Sequence, residues 1–212
     1  TKQIIRATSL PTPPWVFGMQ NYAFASPTRI VCSFTRHGAW TLASLDAKSR
    51  RVATIDLPYS DIASVQCDGD QAVFLAGSPR ETLSVIRLHL ATGRPEVLRR
   101  STTLAIDSSY LSAPEPIEFP TAGSRTAHGL FYPPRNPDFV PPPGERPPLV
   151  VMIHGGPTSM ATTALRLNIQ YYTSRGIAVL DVNYGGSTGY GRVYRERLDG
   201  ATAQVPADVL AH

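Results

Sequence analysis

From about residue 15 to residue 100, apolar and polar side chains alternate in short segments with a period near two. The segments are Arg29 to Phe34, Trp40 to Leu42, Val52 to Leu57, Gln71 to Leu75 and Ile86 to Leu90. Turn sequences divide them at Arg36-His37-Gly38, Asp68-Gly69-Asp70 and Thr92-Gly93-Arg94. A period of two puts successive side chains on opposite faces of a strand, so this half is predicted to be antiparallel β. Asp46-Ala47-Lys48-Ser49-Arg50 and Leu90-Ala91-Thr92-Gly93-Arg94 are faintly similar at an offset of 44 residues. That spacing is near the roughly 40–45 residues of a four-stranded propeller blade, and the stretch holds material for about two blades where a closed propeller needs about 4–8.

Beyond residue 113 the pattern changes. Pro116 to Pro120 and Thr126 to Tyr132 are candidate strands, followed by a proline-rich connection from Pro133-Pro134 through Pro141-Pro142-Pro143-Gly144. Proline fixes an extended backbone there without a ladder. The continuous apolar run Pro148 to Ile153 has the composition of a strand buried on both faces, which is a parallel-sheet signal. Thr162 to Ser174 is predicted as a helix, with Leu165, Ile169 and Tyr172 on one face and Gly176 as its terminator. A second buried strand, Ile177 to Val182, completes a βαβ unit. The fold class expected is therefore mixed: antiparallel β first, then the start of a parallel α/β sheet.

Composition narrows the function classes. Of 212 residues, 42% are hydrophobic and 17% charged, which is enough apolar material for a core and excludes a wholly disordered chain. Net charge is +4, from 20 Lys and Arg against 16 Asp and Glu, with no basic run of the kind that binds nucleic acid. Cys32 and Cys67 lie in apolar segments without Cys-x-x-Cys spacing, so buried free thiols are expected and no metal or other cofactor is implied. No apolar stretch approaches a membrane span, and a soluble, cytoplasmic chain without membrane partners is expected.

The sequence that carries chemistry is His154-Gly155-Gly156-Pro157, placed where the first buried strand ends. In α/β-hydrolases that loop supplies one backbone N–H of the oxyanion hole. Adjacent glycines leave peptide N–H groups open to a developing alkoxide with no Cβ in the way. The four residues alone read equally as an ordinary glycine turn with His154 packing or capping.

Longer stretches resolve the ambiguity. Trp15-Val16-Phe17-Gly18, the segment EFPTAGSRTAHGLFYPPRNPDF from Glu118 to Phe139, PPLVVMIHGGPT from Pro147 to Thr158 and YTSRGIAVLDVNYGGSTGYGRVY from Tyr172 to Tyr194 occur in this order. Together they resemble the prolyl oligopeptidase family of serine peptidases, above all its acylaminoacyl-peptidase and dipeptidyl-peptidase-like members. The resemblance implies that residues 1–113 are C-terminal blades of a β-propeller and that 114–212 are the N-terminal part of an α/β-hydrolase domain. It implies an oxyanion N–H on Gly156, with Gly155 and His154 shaping the loop, and peptide-bond hydrolysis through an acyl-enzyme. The tail DGATAQVPADVLAH, 199–212, departs from the family pattern, and the triad Ser, Asp and His have no counterparts. An internal fragment, inactive alone, is expected; its partners would be a peptide substrate in the complete enzyme and a complementing C-terminal chain. The alternative is a non-catalytic remnant or binding module.

One motif competes. Gly185-Gly186-Ser187-Thr188-Gly189 satisfies the Gly-x-Ser-x-Gly pattern, and Asp199 or Asp208 and then His212 follow in the order Ser, Asp, His. The hydrolase nucleophile lies one strand later, however, and the remaining chain is too short for the crossovers that carry acid and base. Ser187 is read as part of an exposed glycine-rich loop. Ser78 and Ser124 read as turn serines, His37, His89 and His128 as isolated, and Asp181 as a buried structural carboxylate needing a partner.

Overall fold

The computed structural model describes residues 18–156 and 159–199. The chain forms two compact units. The first comprises residues up to Thr103 with Thr162–Leu165 and Thr188–Arg192; the second comprises the rest.

The first unit holds two four-stranded antiparallel sheets and no closed barrel among its described residues. One runs β1 (Tyr22–Ser26), β2 (Arg29–Arg36), β3 (Ala39–Asp46), β4 (Val52–Ile55); the other runs β5 (Asp61–Asp68), β6 (Gln71–Ser78), β7 (Glu81–His89), β8 (Arg94–Arg100), each in simple meander order. The hairpins follow from the turn residues. Arg36 pairs with Ala39 across His37 and Gly38, both at positive φ (50° and 79°), the geometry a two-residue type I′ turn requires. His37 is thus a turn residue. The similar segments at offset 44 both lie at hairpin connections, between β3 and β4 and between β7 and β8. Alternation buries Ala72, Phe74 and Ala76 on β6 and Ile86 and Leu88 on β7, where they join Val31, Leu42, Ile62 and Val65 in one core. Burying a side chain such as Leu88 contributes about 1.5–3 kcal/mol. Cys32 and Cys67 are free and half-buried, and burial pushes both thiols up.

Three strands escape the sequence pattern for physical reasons. Ser64 sits at φ 56° in a bulge that shifts the β5 register between Ala63 and Gln66, so Ile62 and Val65 are both buried at odd spacing. β8 is a polar edge strand in which Val97 packs on the core. On β1 the large side chains, Tyr22 and Phe24, face outward.

The second unit carries a mixed sheet ordered β11-β12-β10-β9, from β9 (Glu115–Thr121), β10 (Arg125–Tyr132), β11 (Leu149–Ile153) and β12 (Ala178–Asn183). β11 and β12 are parallel, Leu149 opposite Ala178 through Ile153 opposite Val182; the β12, β10 and β9 pairs are antiparallel. Helix α1 (Leu167–Thr173) connects the parallel strands and is shorter than the predicted span. The reason is backbone bonding: Leu165 N–H goes to the Ser78 carbonyl at 2.8 Å, so the chain stays extended there. Gly176, at φ 82°, follows the helix end. Ile169 is fully buried against Leu130, Tyr132 and Val179, with Val150, Met152 and Tyr172 packed around them.

β11 departs from the expected two-sided burial. Among the described residues it is an edge strand, and Leu149, Val151 and Ile153 are 50%, 46% and 53% exposed on one face. Among the described residues no helix is long and apolar enough to cross a membrane.

Candidate functional site

The site is built where β11 ends and where the chain leaves β12. Ile153 is followed at once by His154, Gly155 and Gly156; Pro157 lies outside the described residues. Both glycines are exposed, and a Cβ on Gly155 would meet no atom within 4 Å. The Gly155-Gly156 peptide therefore stands open at the carboxyl end of a parallel strand, where ligands of open α/β sheets bind.

The His154 ring is held by the loop that follows β12. Tyr184 stacks on it with centroids 4.5 Å apart and planes at 22°, and the Tyr184 hydroxyl donates to the His154 carbonyl at 3.3 Å. Nδ1 lies 2.9 Å from the Gly155 carbonyl oxygen, and Nε2 lies 2.7 Å from Ser187 Oγ. A carbonyl only accepts, so Nδ1 carries the proton and Nε2 accepts from the Ser187 hydroxyl. Burial holds the His154 pKa below the ordinary 6.5, opposed by the Gly155 hydrogen bond and the Asp181 carboxylate. The neutral ring that results suits this bonding pattern.

Ser187 is fully buried, as is the whole run from Asp181 to Gly189, which corrects the expectation of an exposed loop. The loop is closed by Ser187 N–H to the Tyr184 carbonyl at 2.9 Å and Gly186 N–H to the Tyr194 carbonyl at 3.0 Å. Tyr194 belongs to the short helix α2 (Arg192–Arg195), and its hydroxyl donates to the Asn183 carbonyl at 2.6 Å. Gly186 has φ 108°, and a Cβ there would overlap the Leu198 side chain. Packing thus explains a glycine that stands at a variable position of the pattern Gly-x-Ser-x-Gly.

The remaining sequence candidates are spread out. Asp181 is 2% exposed and is ion-paired with Arg166. His128 packs on Tyr194 at 5.0 Å. Ser78 accepts from Arg80 N–H in a turn, and Ser124 lies in a short helical turn at φ 57°. Asp199 is exposed; Asp208 and His212 lie outside the described residues. Among the described residues no group of three metal-ligating side chains gathers. The contact between Ser187 and His154, 33 residues apart, was missed by sequence reasoning, which weighed each in a separate motif.

The arrangement belongs to a recognisable class. The model of the prolyl oligopeptidase family matches residues 163–211. The human acylamino-acid-releasing enzyme (Homo sapiens) is 50% identical over 52 residues, 24% of this chain and 7% of that enzyme. The solved structure of a puromycin hydrolase superposes with a TM-score of 0.88 at 40% identity over 97% of this chain and 31% of its own. A puromycin-hydrolysing peptidase of Mycobacterium tuberculosis gives a TM-score of 0.85 at 39% identity, covering 91% of this chain and 30% of its own. The two solved relatives are a hydrolase and a peptidase by name. The chain is related to the serine peptidases of the prolyl oligopeptidase family, and it spans less than a third of the length of those solved relatives.

Proposed function

We propose that this chain supplies the oxyanion side of a serine-type peptidase that hydrolyses peptide bonds of oligopeptides or of acylated or N-terminal peptides through an acyl-enzyme. In this reading residues 1–113 are C-terminal blades of a β-propeller that filters substrates. Residues 114–212 are the opening part of an α/β-hydrolase domain. The observation that carries the reading is the open Gly155-Gly156 peptide at the carboxyl end of β11. A donor placed there can stabilise the tetrahedral oxyanion, while the nucleophilic serine and its acid and base come from outside these residues.

The bare face of β11 supports a complementing C-terminal chain or continuation. An edge strand with Leu149, Val151 and Ile153 half-exposed has both unpaired ladder groups and apolar surface to offer. The setting is a cytoplasmic peptidase with a peptide as partner and no nucleic acid, membrane or cofactor.

The test is complementation. The purified chain should match a buffer blank on aminoacyl-nitroanilides, esters and puromycin, the last included because two solved relatives are named for its hydrolysis. Adding a C-terminal polypeptide with a Gly-x-Ser-x-Gly strand, an Asp and a His should restore turnover, and Gly156→Val should then lower it on the order of 10²–10³-fold. Turnover by the chain alone, or a complemented Gly156→Val variant with full activity, would refute the reading. Complementation that binds without turnover would favour the non-catalytic binding module.

A further inference from the structure

The Gly155 carbonyl and the Gly156 N–H belong to one peptide unit, and a trans peptide points them in opposite directions. Among the described residues there is no cis peptide. Whatever holds the Gly155 carbonyl therefore sets the direction of the Gly156 N–H. Here the holder is His154 Nδ1–H, 2.9 Å from that oxygen. An imidazole donates from Nδ1 in the neutral form when its other nitrogen is an acceptor. Ser187 Oγ–H, 2.7 Å from Nε2, makes it one.

We propose that Ser187 is a positioning residue for the oxyanion turn: its hydroxyl fixes the tautomer and orientation of His154, which holds the Gly155 carbonyl inward and turns the Gly156 N–H toward the substrate. Two further features support this. Tyr184 stacks under the imidazole at 4.5 Å and donates to the His154 carbonyl, so the plane of the ring is fixed. Ser187 is fully buried, so its hydroxyl serves the ring and not the solvent. Hydrogen bonds in series also polarise one another, so the Nδ1–H bond to the carbonyl makes the N–H of the same peptide a better donor. The inference rests on the oxyanion reading, but turnover is not needed to test it.

The measurement is the long-range ¹⁵N–¹H spectrum of the imidazoles in the full chain, with His154 assigned by its loss in His154→Gln. The wild-type ring should be the Nδ1–H tautomer with an unprotonated Nε2. In Ser187→Ala it should move toward the Nε2–H tautomer, which free imidazole side chains prefer, and the Gly156 amide signal should shift. Ser187→Cys, which keeps a weak donor, should fall between the two. A merely structural serine would lower the melting temperature without moving the tautomer. An Nε2–H tautomer in the wild-type chain overturns the proposal without any variant having to fold; so does an unchanged ring in Ser187→Ala. A wild-type Nδ1–H ring that depends on Ser187, in a chain whose complemented Gly156→Val variant keeps full activity, would leave the clamp standing and remove the oxyanion reading alone.

Discussion

Two glycine-rich loops meet in this site and use glycine for opposite reasons. At His154-Gly155-Gly156 both glycines are exposed, and a Cβ on Gly155 would touch nothing. At Tyr184-Gly185-Gly186-Ser187 every residue is buried, and a Cβ on Gly186 would strike Leu198. The first loop keeps its backbone open; the second fills space to the last atom. Open backbone is what a substrate carbonyl needs, and dense backbone is what a support needs. A pattern such as Gly-x-Ser-x-Gly records only residue types, so it cannot tell the two apart.

The contrast yields graded expectations. Gly186→Ala should be the most damaging change: a forced overlap with Leu198 combined with positive φ should cost on the order of 3 kcal/mol or more, read as a fall in urea midpoint. A loss below about 0.5 kcal/mol would mean that the loop is not packed as described. Ser187→Ala comes next. It leaves His154 Nε2 without its donor and should cost about 1–3 kcal/mol.

The pH dependence should be milder. Burial lowers the folded-state pKa of His154 below 6.5, so the unfolded chain takes up this proton first as pH falls. The stabilisation is fully present above about pH 6.5 and is lost as pH falls through the depressed folded value. The Tyr184 hydroxyl and, at longer range, Asp181 face the ring, and Asp181 opposes the shift. Melting temperatures between pH 7.5 and 5 should therefore decline more steeply for the wild type than for His154→Gln; parallel curves would contradict the assignment. Smallest of all is Gly155→Ala. Its φ is ordinary and its surroundings are open, so the fold should be unharmed and could gain up to about 1 kcal/mol from a less flexible unfolded chain. Marked destabilisation there would remove the contrast between the loops.

The alternation along β2, β6 and β7 was legible because each buries one face, and the turns around His37-Gly38 and Gly69-Asp70 were legible because positive φ selects few residues. β5 was hidden by a bulge at Ser64, and β8 by the polarity of an edge. The parallel pairing of β11 with β12 followed from two apolar runs, yet burial on both faces of β11 did not, because an edge position leaves one face bare whatever its composition. At the site, the glycine turn was visible from four adjacent residues. The tie between His154 and Ser187 was not, because it depends on where two strands bring separate loops, and no local pattern encodes that.

That tie also supplies the sharpest challenge. A serine hydroxyl donating to a histidine Nε2 is the geometry of an activated nucleophile, and only burial and the carbonyl partner of Nδ1 set this pair apart. The deciding measurement is exposure of the folded chain to a fluorophosphonate probe, with the adduct mapped by mass spectrometry. Attack would join Ser187 Oγ to phosphorus, release fluoride and pass the hydroxyl proton to His154. A positioning role for Ser187 predicts no adduct on the native chain; a stoichiometric adduct on Ser187 that disappears in His154→Gln would contradict it and place the nucleophile where the support was assigned.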